Sequence, residues 1–275
     1  MEQKKFIKMQ GLGNDFVVFF WDDSLPPKKL IQNLSDRKIG IGCDLSLFIK
    51  NSESDLVDYV VNFFNSDGSE AEICGNALRC VGKLNFNKTK KKNCLIETKA
   101  GLIDVEYINE DKISVNIGVA KFDWKEIPLS KNTDTLNLDF NYDYLKNGLA
   151  LNIGNPHLIF FADTLDMKML KKDSEKIKKS KLFSEGVNIS VVKVNSKDAI
   201  SVLTYERGVG ITQACGTGAC ASVVASNKLN LVEKKVTVTM SGGLLEVEIC
   251  HDHNILMVGK ADIVFEGEID LSRLM

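Results

Sequence analysis

Two segments of this chain open in the same way. Cys74-Gly75-Asn76-Ala77-Leu78-Arg79-Cys80 leads into Val81, Leu84 and Phe86, and Cys215-Gly216-Thr217-Gly218-Ala219-Cys220 leads into small and apolar residues up to Ala225. Each places Cys-Gly at the start of a stretch whose apolar spacing fits a buried helix. The two leading cysteines lie 141 positions apart (215 − 74) in a chain of 275 residues, close to half its length. Chance could supply a second Cys-Gly, but the matched context favours a duplicated unit. The expected architecture is two similar α+β halves facing each other across a cleft.

Around these segments the chain reads as short strands. Residues 3–9 and 15–20 flank the turn Gly11-Leu12-Gly13-Asn14, and Pro26-Pro27 opens a short helix that includes Lys29 to Leu34. Residues 45–50, 58–64, 94–97, 101–108 and 113–117 continue the first half, with Ile103, Val105 and Tyr107 at period two. Residues 122–137 read as a connector. The second half begins near Asp139, with strands expected at 158–161, 189–194, 200–205, 236–240 and 244–249, and a last one at 264–269. Gly242-Gly243 reads as a tight turn.

Composition narrows the function classes. Seven cysteines, at 43, 74, 80, 94, 215, 220 and 250, form no CxxC pair. An odd count without that spacing argues against a disulfide framework, a zinc knuckle or a thioredoxin-like site. His251 and His253 flank Asp252 in a hairpin loop, but spacing suggests no third ligand, so no metal is expected. No Walker A or dinucleotide fingerprint is present, and no cofactor is expected from one. Basic residues number 35 against 37 acidic, a formal charge of -2 that poorly supports nucleic-acid binding. The dense run from Lys168 to Lys181 reads as a solvated helix face, with a docking patch as the other reading. The N-terminal sequence lacks a signal-peptide pattern, and no stretch nears 18 apolar residues, so a cytoplasmic protein without a membrane span is expected.

The Cys-Gly turns carry the chemistry. A thiol at the first turn of a helix sits among unpaired backbone N–H groups at the positive dipole end, which lowers its pKa from about 8.5 toward neutrality. Glycine lets a ligand approach the backbone, and the open N–H groups can hold a carboxylate. Two such sites, face to face, would place a sulfur on either side of the carbon next to that carboxylate. One thiolate could take a proton while the opposite thiol delivers one to the other face, giving stereochemical inversion. The bland alternative is that Cys74 and Cys215 are small buried residues opening tight helices. Asn14, Asn65, Asn155 and Asn188 sit in turn-like contexts, where each suits a turn former as well as a ligand contact. Arg207, after Glu206, could grip a second carboxylate bidentately or form a satisfied surface pair. His157 follows Asn155-Pro156.

The set GLGNDF (11–16), GIG (40–42), DGSEAEICGNALRC (67–80), GNPH (154–157) and ERGVGITQACGTGACA (206–221) resembles the diaminopimelate epimerase family over essentially the whole chain. A lone CGN would say little; both cysteine motifs in order, with the Asn and Glu-Arg elements between them, are specific. The resemblance implies an α+β fold of two pseudo-symmetric domains, each a curved, mostly antiparallel sheet wrapped around a central helix. It implies domains of 1–118 plus 263–275 and of 119–262, with the active site in the cleft between them. It also implies a homodimer, no pyridoxal phosphate or metal, and a two-base mechanism. Cys74 and Cys215 match the catalytic pair, and His157 and Glu206 the positions that tune the thiols. Gly75, Asn76, Gly216 and Thr217 match the donors to the reacting carboxylate. Asn65, Asn155, Asn188 and Arg207 match the side that recognises the distal end of LL- or meso-diaminopimelate. Glu206 matches an amino-group contact and Asn14 a further substrate contact.

Three positions depart from the family pattern. Ala77 follows Cys-Gly-Asn where glycine is common, and Ile211 replaces a common Glu. Leu45 stands where Gln or Gly is frequent, and its branched side chain cannot hydrogen-bond and would narrow that edge of the pocket. These changes bear on which amino acid is bound more than on the reaction. Epimerisation of diaminopimelate, in lysine and cell-wall precursor synthesis, is the first expectation, because unmet distal polar groups would cost about 1–3 kcal/mol each. A racemase of another amino acid, histidine first, is the alternative, and a silent binding protein for a dicarboxylic ligand is the third.

Overall fold

β-Strands buried on both faces set the architecture. The run Phe16-Val17-Val18-Phe19 has no exposed member, and neither has Leu158-Ile159-Phe160. Such continuous apolar runs suit the interior of a sheet covered on both sides, where parallel pairs are found. In the computed structural model, which describes residues 3–274, both runs lie in parallel pairs. The chain divides into two compact units, one of residues up to Val115 with those from Gly259 on, the other Asn116–Val258.

The first unit contains β1 (Gln3–Gly11), β2 (Asn14–Phe20), α1 (Lys28–Ser35), β3 (Leu45–Asn51), β4 (Tyr59–Asn65), β5 (Glu70–Ala71), α2 (Gly75–Thr89), β6 (Asn93–Thr98), β7 (Gly101–Asn109) and the start of β8 (Lys112–Val119). The second contains β9 (Leu138–Asn141), β10 (Lys146–Asn152), β11 (Pro156–Phe161), α3 (Met167–Lys178), β12 (Asn188–Ser196), β13 (Ala199–Glu206), β14 (Gly210–Ile211), α4 (Gly216–Lys228), β15 (Lys235–Met240), β16 (Gly243–Ile249) and β17 (Asn254–Gly259). The last strand, β18 (Asp262–Asp270), pairs antiparallel with β1 in the first unit.

The two units repeat one pairing scheme. In the first, β1–β2 and β3–β4 are antiparallel, β2–β3 and β4–β6 parallel, and β6–β7–β8 a meander. In the second, β10–β11 and β12–β13 are antiparallel, β11–β12 and β13–β15 parallel, and β15–β16–β17 a meander. The parallel pairs β2–β3 and β11–β12 are joined through α1 and α3, and the parallel pairs β4–β6 and β13–β15 through the long buried helices α2 and α4. This is the duplication that the Cys-Gly spacing predicts, and the α+β class is the one expected. Strands β9, β10 and β17 are additional to the sequence reading. The Lys146-Asn147-Gly148 start of β10 and the four-residue apolar run of β17 give little period-two signal.

Each unit is built around its buried helix. α2 packs on β1, β6 and β7, and α4 on β10, β11, β12, β13, β15 and β16. Residues Gly75 to Asn85 of α2 and Gly216 to Ser226 of α4 are all buried. A helix buried all round must satisfy its polar side chains locally. In α4, Ser222 Oγ donates to the Gly218 carbonyl and Ser226 Oγ to the Ser222 carbonyl, both at 2.7 Å. In α2, Arg79 Nε donates to the Lys260 carbonyl at 3.2 Å and Lys83 Nζ to the Ala261 carbonyl at 2.9 Å. These two side chains tie the returning segment before β18 to the first unit.

Opposite α2, the first unit's sheet is covered by α1 and an aromatic cluster. Phe19 and Phe48 stack at 5.4 Å, and Trp21 and Phe64 meet Phe48 edge-on. In the second unit, Leu170 and Ile177 of α3 join Phe160, Val191 and Phe183 in the equivalent layer. The expected Lys-rich helix is α3, whose N-cap Asp166 accepts from the Lys168 and Met169 amides. Gly82 marks the tightest helix–sheet approach: a Cβ there would lie 2.5 Å from Val105 Cγ1 and 3.1 Å from Ile113 Cγ2. Gly82→Val should therefore destabilise the protein by about 1–3 kcal/mol through overpacking, despite better helix propensity. Urea unfolding of the two proteins measures the difference.

Candidate active site

The residues singled out from the sequence gather at one end of each sheet, beside the start of its buried helix. β2 and β3 begin there and the antiparallel β4 ends there, so Asn14, Leu45 and Asn65 share that end. Register sets Phe16 beside Leu45 and Leu45 opposite Asn65. In the second unit Asn155 precedes β11, Asn188 begins β12 and Glu206 ends β13, with His157 beside Asn188. Cys74 lies nine residues after Asn65 and Cys215 nine after Glu206, each at the N-cap of its helix. Asn14 thus corresponds to Asn155, Leu45 to Asn188, and Asn65 to Glu206.

Within the first unit, Cys74 is half-buried and its thiol donates to Asn14 Oδ1 at 3.8 Å. Asn14 Nδ2 donates to Asp44 Oδ2 at 2.8 Å. Asn14 follows a two-residue hairpin turn whose Leu12 and Gly13 both have positive φ, 58° and 80°. Behind it, Asp15 takes both forks of Arg37 at 2.8 and 2.7 Å and the Lys8 ammonium at 2.6 Å. Burial pushes the Asp15 carboxyl up, but its bonds to Arg37 and Lys8 outweigh that and hold it well below the ordinary range. Asn65 Nδ2 donates to Ser69 Oγ at 3.0 Å. Asn76, next to Cys74 in sequence, is buried with no partner on Oδ1 among the described residues. Sequence reading missed Lys8, Asp15, Arg37 and Asp44, whose only signal is two acidic residues after an Asn and a Cys.

Within the second unit, the Cys215 sulfur accepts from the Gly218 amide at 3.4 Å and lies 3.6 Å from Thr217 Oγ1. Gly218 permits this approach, since a Cβ there would meet Thr204 Oγ1 at 2.9 Å and Cys215 Sγ at 3.2 Å. Asn155 Nδ2 donates to Thr217 Oγ1 at 3.5 Å, and Asn155 Oδ1 lies 2.8 Å from His157 Nε2. With the amide oxygen facing the ring, Nε2 carries the proton. A chain of contacts thus runs from His157 through Asn155 and Thr217 to Cys215. Asn188 bridges the Pro156 carbonyl and the Arg207 amide, at 3.2 and 2.9 Å. The Arg207 guanidinium is exposed and donates to the Glu185 carbonyl at 2.9 Å. It lines a small pocket with Lys178, Phe183 and Tyr205.

The helix-terminus environment does not decide the Cys215 thiol. Burial pushes its pKa well above the ordinary value, the Glu206 carboxylate adds to this, and the bonds from Thr217 and Gly218 oppose it only in part. The lowering expected from sequence is corrected here for Cys215, because loss of water and a neighbouring anion outweigh the partial charge of a helix end. Glu206 itself is held by the Thr212 hydroxyl. Cys80, fully buried behind Cys74, is pushed up to about 12 by burial. None of the seven cysteines is bonded to another. Among the described residues no group of three His, Cys, Asp or Glu could hold a metal, and no helix is long and apolar enough to cross a membrane.

The repeated units, each built around a buried central helix, define a fold class. A probable proline racemase from Agrobacterium radiobacter has the same fold, with a TM-score of 0.72 over 98% of this chain and 93% of that one at 12% identity. A phenazine biosynthesis protein of the PhzF family from Enterococcus faecalis superposes at 0.68 over 98% of this chain and 100% of that one, at 16% identity. Within this class, the chain belongs to the diaminopimelate epimerase family and is an isomerase. The family model described as diaminopimelate epimerase matches residues 6–122 and 149–264. A diaminopimelate epimerase from Erythrobacter litoralis is 40% identical over 268 residues, 96% of this chain and 97% of that protein.

His157 yields a stability prediction. It is fully buried and neutral, its pKa lowered from 6.5 to about 3 by burial and by the Arg207 charge. The unfolded chain therefore binds a proton below pH 6.5 that the folded chain refuses until about pH 3. Stability is intact above 6.5 and falls as pH drops through that window. Between pH 7 and 5 the loss from this group should be on the order of 2 kcal/mol. Urea melts at pH 7 and 5 should show a smaller difference for His157→Gln than for the unaltered protein.

Proposed function

We propose that the chain interconverts LL- and meso-diaminopimelate without an added cofactor, with Cys74 and Cys215 as its two acid–base groups. Family membership at 40% identity over nearly the whole chain supports the reaction. The observation that carries the residue assignment is the repetition of a thiol at the N-cap of each unit's buried helix, nine residues past a strand end. On this reading the two units close on one amino acid across the cleft between them. The backbone donors of Gly75 and Asn76 and of Gly216 and Thr217 hold its reacting carboxylate.

The proton bookkeeping balances. One cysteine, as thiolate, takes the α-proton and becomes a thiol, leaving a carbanion stabilised beside the carboxylate. The other, as thiol, gives its proton to the opposite face and becomes the thiolate. The reverse direction exchanges the roles. His157 and Glu206 tune Cys215, through Asn155 and Thr217 and by direct charge. Asn14 touches the first thiol and the substrate, Asn65, Asn155, Asn188 and Arg207 receive the distal end, and Glu206 contacts an amino group. Arg207 must leave the Glu185 carbonyl to do so, and its exposure leaves it free to turn. Closure expels water from a step that removes a weakly acidic proton.

Leu45 favours a second reading. It fills the slot that Asn188 fills in the other unit, and an apolar wall there suits a less polar amino acid, histidine first. The family's soluble, cytoplasmic homodimer is carried over as part of the proposal. Val264 and Phe265 of β18 are exposed apolar side chains that a second copy could cover.

In deuterated water, LL-diaminopimelate should gain solvent deuterium at one α-carbon as inversion proceeds, without added pyridoxal phosphate or metal. Cys74→Ala and Cys215→Ala should each lower inversion by at least about a thousandfold, since each removes one of two obligatory proton carriers. Normal turnover by either variant would overturn the pair. Chiral chromatography of a panel of L-amino acids decides the substrate, and inversion of histidine but not diaminopimelate would select the second reading.

A further inference from the structure

We propose that Asp44 is a positioning residue that turns the Asn14 amide so that its oxygen, and not its nitrogen, faces the Cys74 thiol. The inference rests on the proposed role of Cys74 and deepens it.

A primary amide has two chemically opposite ends, one that only accepts and one that only donates. Which end meets a sulfur decides whether the thiol or the thiolate is favoured: an amide oxygen accepts from S–H, whereas an NH2 donates to S−. Asn14 stands between Cys74 on one side and Asp44 on the other. A carboxylate cannot donate, so the group placed 2.8 Å from Asp44 Oδ2 has to be the Asn14 NH2. The oxygen is thereby left for Cys74, 3.8 Å away.

Asp44 is itself fixed from several sides. Its backbone N–H donates to the Asp15 carbonyl and to Asp15 Oδ1, both at 3.0 Å. Its Oδ2 accepts from the Asp15 amide at 3.2 Å, and its Oδ1 from Arg37 Nη2 at 2.9 Å. Arg37 and Lys8 hold Asp15 in turn. The ion cluster beneath the first hairpin thus ends in one defined acceptor aimed at Asn14.

The second unit gives the contrast. Asn155 occupies the position corresponding to Asn14, but its neighbour is the neutral His157 ring, whose Nε2–H claims the amide oxygen. The NH2 end then turns toward Thr217 Oγ1 and leaves that hydroxyl free to donate to the Cys215 sulfur. The same asparagine is therefore set in opposite senses in the two units, by a carboxylate in one and an imidazole N–H in the other. Two thiols in duplicated frames receive different partners: an amide oxygen at Cys74, and at Cys215 the donors Thr217 and Gly218 together with the Glu206 carboxylate.

The test reads Cys74 directly and needs no turnover. Ligand-free protein is treated with iodoacetamide at pH 7.5, and the rate at each cysteine is followed by peptide mass spectrometry. In Asp44→Ala the amide is released to present its NH2 to sulfur. Cys74 should then alkylate roughly three- to tenfold faster, as its thiolate fraction rises, with Cys215 unchanged. Asp44→Asn keeps an oxygen for the Asn14 NH2 and should restore the slow rate. A merely structural role would not produce rescue by a neutral isostere. If Asp44→Ala does not fold, Asp44→Ser carries the same expectation, because its side chain is too short to reach the amide. An unchanged Cys74 rate in the folded variant, or an Asp44→Asn rate as fast as that of Asp44→Ala, overturns the proposal. Absence of inversion by the unaltered protein would instead overturn the proposed function and leave the alkylation result standing.

Discussion

Both units depend on burying a whole helix inside a sheet. α2 and α4 have no solvent-facing stripe over their first three turns, so the chain cannot satisfy their ends with water. Their C-terminal ends reach the surface, but the first-turn N–H groups stay inside. Position N-cap therefore needs a small residue that can sit among donors without filling the space a ligand would take. Cysteine stands at both: Cys215 Sγ accepts from Gly218 N, whereas the Cys74 side chain makes no such cap bond. The packing that gives each unit its core is the same packing that leaves a buried helix N-terminus beside a thiol. Fold and candidate site are one constraint seen at two scales.

Duplication then supplies the frame twice, and substitution within the frame distinguishes the copies. Corresponding strand ends carry Leu45 and Asn188, and Asn65 and Glu206. The second unit thereby receives the anion next to its thiol, the neutral buried histidine and the arginine. The first receives instead an ion cluster of Lys8, Asp15, Arg37 and Asp44 that lies behind the hairpin and shapes it from outside. Polar groups are costly inside the core, so each copy keeps them at the same end of the sheet, where backbone and ligand can share their satisfaction.

Much of this was legible in the sequence because it is periodic or punctuated. The Cys-Gly-small pattern marks a helix start and an all-buried helix at once, and the turn Gly11-Leu12-Gly13-Asn14 marks a hairpin. The α+β class and the duplication follow from those signals. Strand β10 was not legible, since its register is set by β9 and β11 and not by its own alternation. Nor was the Cys215 environment. A helix N-terminus can be read from local spacing, but the degree of burial and the approach of Glu206 are tertiary. Asp44 was invisible for a related reason: between Cys43 and Leu45 it looks like one more loop acid, and only the parallel pairing of β2 with β3 brings it to Asn14.

A two-base inversion places contradictory demands on a pair of identical side chains. Both must titrate at the working pH, yet at any moment one has to be charged and the other neutral. A perfectly symmetric site would leave that choice to the substrate alone. Here the two sulfurs differ before any ligand binds. Cys215 is deeply buried beside a carboxylate, which opposes its charge, while Thr217 and Gly218 donate to it, which favours charge. Cys74 is more open and meets an amide oxygen. At Cys215 burial and the carboxylate outweigh the donors, so the neutral thiol is favoured there. On the proposed mechanism the bound ligand must supply the rest of the balance, because a thiol strongly committed to either form could serve only one direction of the reaction.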